Sequence, residues 1–188
     1  HQYGERPDEL QRVIDQLNRG DASVRGELLN IANHQLVRLT REIKRELDCL
    51  DQAGELDQPW EKIFEDASTR LYEALHNAAI KDTRHFYQVA SLQIRRELVG
   101  ICRQGGPPTS RELSQLAELH DCVDGLSSDA REVFELIWYH DMTQQEVADL
   151  LGRPVSGIRR LWRTARLELH GRFGDGANDD GEIKFAGD

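Results

Sequence analysis

Between Arg153 and Arg172 the chain places six arginines, at 153, 159, 160, 163, 166 and 172, against a single acid, Glu168. That is a local charge of +5 in a chain whose 24 Lys and Arg face 34 Asp and Glu, for a formal net charge of -10. Guanidinium groups in this density suit phosphate oxygens and the acceptor edge of guanine. Arg159, Arg160, Arg163 and Arg166 recur at helical spacing, so one helix would present them on one face. Ile158, Leu161, Trp162, Ala165 and Leu169 would fill the other. A basic face on an ordinary solvated helix is the plain alternative. What favours nucleic acid is the context just before it.

Other chemistries are poorly provided for. The seven histidines (1, 34, 76, 85, 120, 140, 170) show no HExxH spacing, and neither a P-loop nor a GxSxG turn occurs. Cys49, Cys102 and Cys122 are odd in number, far apart and without a CxxC pair, so they suggest neither a zinc site nor a disulfide framework. No catalytic residue, metal or cofactor is expected, and the enzyme reading is set aside. Cysteine usage and the lack of a long apolar run or a signal-like N-terminus lead us to expect a cytoplasmic protein with no membrane insertion. Global acidity argues against a generic nucleic-acid coat but leaves room for a local basic patch.

The elements that must position the arginines are helical. Thr143-Gln144-Gln145-Glu146 is a capping box, in which the threonine hydroxyl and the glutamate carboxylate each satisfy the other residue's backbone N–H. Val147, Ala148, Leu150 and Leu151 follow, and Gly152 stands where a helix must stop and turn. Helices are expected over Asp129–His140, Gln144–Leu151 and Pro154–Arg172. A short capped helix, a glycine turn and a longer cationic helix is a helix-turn-helix arrangement.

Upstream, apolar stripes at helical spacing predict four more helices, Asp8–Asn18, Ala22–Leu50, Pro59–Ala79 and Thr83–Gln104. Gly105-Gly106-Pro107-Pro108 cannot continue a helix. The expected fold is therefore all-α, as two small helical domains, 1–104 and 123–173, joined by a flexible linker over 105–122. Within that linker, Arg111–His120 is polar enough to be helical without packing on either side. Residues 174–188 carry Asp175, Asp179, Asp180, Glu182 and Asp188 against Lys184, which suggests a solvated acidic tail that can shield the arginines.

The run from Leu126 through Leu136, then Met142–Gly152, Ile158-Arg159 and Ala165-Arg166, resembles region four of bacterial RNA polymerase sigma factors. It is most similar to the extracytoplasmic-function (ECF) group, which keeps only regions two and four joined by a linker. His85-Phe86-Tyr87-Gln88-Val89-Ala90-Ser91, Ile94–Val99 and Arg103 resemble the region-two helix that opens and reads the -10 promoter element. Ile63–Ala67 with Arg70-Leu71-Tyr72 occupies the place of the helix that docks on the polymerase. The resemblance spans about Leu10 to Phe173. It departs from the family pattern at Lys62, Ser68, Gly100, Pro154, Leu161 and Trp162.

The resemblance implies core RNA polymerase and promoter DNA as partners, leaves room for an anti-sigma factor, and implies no small-molecule substrate. In region four it implies that Thr143, Gln144, Ser156, Gly157, Arg159, Arg160, Arg163 and Arg166 meet the -35 element. In region two Tyr87, Gln93, Arg95, Arg96 and Arg103 would meet the -10 element, with aromatic and cationic groups of the kind that hold unstacked bases. Phe64, Glu65, Asp66, Arg70 and Leu71 would bind polymerase. The alternative is a helix-turn-helix regulator whose N-terminal bundle binds a partner or ligand. It would require a palindromic site and a self-complementary dimer surface.

Overall fold

The computed structural model describes residues 7–54, 56, 58–104 and 111–173, and among them every regular element is a helix. The all-α expectation holds. The chain divides into two compact units between Ala117 and Glu118.

The first unit contains α1 (Pro7–Asn18), a 3-10 turn (Ala22–Val24), α2 (Arg25–Gln52), α3 (Trp60–His76) and α4 (Thr83–Gln104). The stripes expected to be apolar are the buried ones. Leu28, Leu29, Ala32, Leu36 and Ile43 of α2, Ile63, Ala67, Leu71 and Leu75 of α3, and Phe86, Ala90, Ile94, Leu98 and Ile101 of α4 are all buried. Burying a large aliphatic side chain contributes roughly 1.5–3 kcal/mol, so these three facing stripes supply most of what holds the bundle. Leu39, Phe64 and Val89 lie at its margin, half-buried.

Polar groups close the helix ends. Gly20, at φ +97, turns the chain out of α1, and the Asp21 carboxylate accepts from the Ser23 backbone N–H at 3.1 Å. That cap opens the 3-10 turn, so α2 begins at Arg25 rather than at Ala22. Arg25 then reaches the far end of α3, its Nη1 donating to the carbonyls of Leu75, His76 and Ala78 at 3.2, 2.8 and 3.3 Å. A cation there satisfies orphan carbonyls and opposes the negative end of the helix dipole. At the start of α4, Gln11 Oε1 accepts from the Thr83 N–H and Oγ1, and Asp82 Oδ1 accepts from the His85 N–H at 2.8 Å.

The second unit contains the C-terminal half of α5 (Arg111–Val123), then α6 (Ser128–Trp138), α7 (Gln144–Leu151) and α8 (Val155–Phe173). Here the structure departs from expectation. Arg111–His120 reads as a stretch that could be helical without packing on either side, yet Leu119 and His120 are buried, as is Val123 just beyond it. His120 Nδ1 and the Tyr139 hydroxyl share a 2.7 Å hydrogen bond, and the His120 ring lies edge-on to Trp138 at 5.0 Å. The physical reason is that a histidine with a partner behaves as a core residue, so the stripe Leu119–His120–Val123 is longer than its apolar members suggest.

The acidic stretch 174–188, with its expected shielding role, lies outside the described residues, as do the glycine–proline residues 105–108.

Candidate nucleic-acid interface

The helix-turn-helix is set by local chemistry at three points. Thr143 is the N-cap of α7. Glu146 N–H donates to Thr143 Oγ1 at 3.2 Å, and Thr143 N–H donates to Glu146 Oε2 at 2.7 Å, so the capping box is complete. At the other end Gly152 sits at φ 61, ψ 36, in the left-handed region that glycine enters without a Cβ penalty. Both Gly152 N–H and Arg153 N–H then donate to Ala148 O, and the chain leaves for α8. Pro154 follows directly, and its carbonyl accepts from Gly157 and Ile158 N–H in the first turn.

Packing fixes the angle of α8. Val147 and Ala148 of α7 and Ile158, Trp162, Ala165 and Leu169 of α8 are buried. The Trp162 ring stacks on Phe134 of α6 at 5.7 Å, and Phe134 in turn stacks on Trp138 at 6.0 Å. Trp162 therefore ties α8 to α6.

The six arginines separate into three roles. Arg153 pairs with Asp129 at the start of α6 (3.1 Å), bracing the turn between α7 and α8. Arg172 donates to Cys122 O and Gly125 O at 3.3 and 2.9 Å, closing the C-terminus of α5. A Cβ on Gly125 would collide with that guanidinium. Arg166 lies half-buried with its Cζ 5.9 Å from the centre of the Trp162 ring. Arg159, Arg160 and Arg163 remain exposed, with no ion pair among the described residues. Ser156 is exposed beside them, Gly157 and Gln144 are half-buried, and Thr143 is exposed at the N-terminus of α7. Seven of the eight positions expected to meet the -35 element thus lie at or near the surface with a polar or open aspect, and Arg166 lies over the tryptophan.

The positions expected to meet the -10 element are placed less uniformly. Arg96 and Arg103 are exposed along α4. Arg95 is buried at 4% exposure, and Tyr87 is buried beside Phe86, ring centres 5.6 Å apart. Gln93 donates to Glu97 Oε1 at 2.9 Å. Arg70 also turns to that carboxylate, with Nε and Nη2 both 2.9 Å from Glu97 Oε2. Glu97, 5% exposed, is thus a buried acid held by an arginine of α3 and an amide of its own helix. A buried carboxylate is costly unless paired and hydrogen-bonded, and here it is both.

On α3, Glu65 is exposed, and Asp66 holds Lys62 at 2.8 Å, which raises the lysine pKa through the hydrogen bond and then through charge. Phe64 is half-buried against Trp60 at 5.7 Å, and Leu71 is core at 1% exposure. Ser68 Oγ donates to Asn33 Oδ1 of α2 at 2.6 Å, a polar clasp between the two helices. Sequence reasoning did not pick out Glu97, the Arg172 cap or the His120–Tyr139 pair. Each depends on a partner far along the chain, and no local spacing announces it.

A capped helix, a left-handed glycine turn and a second helix with exposed arginines together form a helix-turn-helix, an arrangement suited to the DNA major groove. Residues 116–169 match the family model of sigma-70, region 4. The match begins within α5, in keeping with the burial of Leu119, His120 and Val123. No curated protein and no solved structure matches the chain. No helix among the described residues is long and apolar enough to cross a membrane, and no group of His, Cys, Asp or Glu among them could hold a metal ion.

Proposed function

We propose that the chain is a sigma factor of the ECF group, which binds core RNA polymerase and directs initiation by reading a -35 element with α8 and a -10 element with the N-terminal bundle. The observation that carries this is the trio Arg159, Arg160 and Arg163, exposed and without ion pairs among the described residues, on the second helix of a sigma-70 region 4 unit. Unspent guanidinium groups on a net-acidic chain are well suited to phosphate and guanine. For the -10 element the supporting side chains are Arg96 and Arg103. Arg95, Gln93 and Tyr87 support α4 from within, and Arg70 ties α3 to it through Glu97.

Docking on polymerase draws on the exposed side of α3, where Glu65 and Tyr72 face solvent and Phe64 and Asp66 are half-exposed. Leu71 contributes to that surface only by holding α3 in place. The test is transcription by core polymerase on a library of random promoters. The proposal predicts that adding the chain yields initiation at a shared, non-palindromic two-part motif. Binding of a palindrome without recruitment of polymerase would favour the helix-turn-helix regulator instead.

A further inference from the structure

The arginine face of α8 carries one feature that DNA does not explain. Leu167 is 64% exposed, and it stands four residues beyond Arg163 and seven beyond Arg160, on the same side of the helix. An exposed leucine in a row of unpaired guanidinium groups makes a mixed surface, cationic with an apolar foothold. The sequence that follows Phe173 has the complementary make-up. It offers Asp175, Asp179, Asp180, Glu182 and Asp188 against Lys184, and its large apolar side chains are Ile183 and Phe185.

We propose that residues 174–188 dock on the arginine face of α8, with Ile183 or Phe185 against Leu167 and the acids against Arg159, Arg160 and Arg163, in competition with duplex DNA. The proposal rests on the DNA-binding reading of that face. Reach is not limiting. Arg160 lies roughly 20 Å and Leu167 roughly 9 Å from the end of α8 at the helical rise per residue. The chain from Gly174 to Phe185 spans up to about 36 Å when extended. Tethering places the acids at an effective concentration of the order of millimolar, so a weak contact suffices to occupy the face. A second copy of the chain is a poor occupant, because two arginine faces repel. The docked segment would lower the affinity of the free chain for DNA and would be displaced once other contacts hold the promoter.

The experiment compares three chains: the full sequence, one ending at Phe173, and Phe185→Ser, which keeps every charge. Binding to duplex DNA is followed by fluorescence anisotropy at low and high salt, and the Leu167 methyl and arginine side-chain resonances by NMR. The expected result is a gain in affinity of about tenfold on truncation at about 50 mM salt, shrinking as salt rises. Phe185→Ser should gain about two- to threefold at unchanged charge, since it removes only the apolar foothold. The Leu167 methyl signals should move on truncation. Unchanged affinity for Phe185→Ser together with unmoved Leu167 signals overturns the docking, even if truncation alone tightens binding, because the acids then only repel DNA through space. If none of the three chains binds DNA while the Leu167 signals still move, the DNA reading fails and the docking stands.

Discussion

Arg163 and Arg172 are chemically identical side chains nine residues apart on one helix, and their surroundings give them different work. Arg172 closes α5 through two carbonyls, whereas Arg163 faces solvent with no ion pair among the described residues. Arg163→Ala should therefore leave thermal stability nearly unchanged and weaken promoter binding. The loss should be about 1–3 kcal/mol and confined to one promoter position if the guanidinium reads a base. If it meets a phosphate, all sequences should weaken alike and the salt slope should fall by about one. Titration of duplex variants distinguishes the two.

Cys102 poses a different test at the same scale. Burial pushes its thiol from 9.0 up to about 12, with Arg103 opposing weakly. The folded form therefore holds its proton after the unfolded chain has released it. The stability this contributes is intact below about pH 9 and is lost as pH climbs toward about 12. Relative to Cys102→Ala, the wild-type chain should lose stability across that window, as read from denaturant midpoints at stepped pH. A constant difference between the two would contradict the burial.

At the scale of elements, α7 is eight residues long, too short to persist without its caps and its packing. Thr143→Ala removes the hydroxyl that accepts from Glu146 and should cost about 1 kcal/mol. Gly152→Ala forces a Cβ into the left-handed region and should cost about 1–2 kcal/mol. Both should lower the melting midpoint of the C-terminal unit and reduce DNA binding in proportion. A loss of binding with no loss of stability would mean that these residues act on DNA directly.

Much of this element chemistry was legible beforehand, because capping boxes, glycine stops and apolar stripes are local. The bounds of α4 and α7 came out as expected, and α1, α2, α3, α6 and α8 within a few residues. The second half of α5 was not legible, because His120 reads as polar until Tyr139 is brought beside it. The surroundings of Arg70, Gln93 and Arg95 were hidden for a related reason. A charged or amide side chain on a helix reads as surface, and only the tertiary fold reveals Glu97 beneath two of them and burial around the third.

For the whole molecule, the decisive feature is an uneven distribution of charge. A chain of net -10 presents Arg159, Arg160 and Arg163 without ion pairs among the described residues on one helix of the segment that matches the sigma-70, region 4 family model, and it spends Arg153 and Arg172 on fixing the elements around that helix. The two-block sigma reading drew on sequence resemblance at both ends, and the family match covers 116–169 alone. The role proposed for the N-terminal bundle therefore rests on its exposed cations and on the exposed side of α3. The most direct measurement is promoter-directed transcription by core polymerase supplied with the Arg159→Ala, Arg160→Ala, Arg163→Ala chain, alongside co-purification of that chain with the enzyme. The account predicts that polymerase is still bound while initiation at -35-dependent start sites falls by at least about tenfold. Initiation at the wild-type level by the triple variant would contradict it.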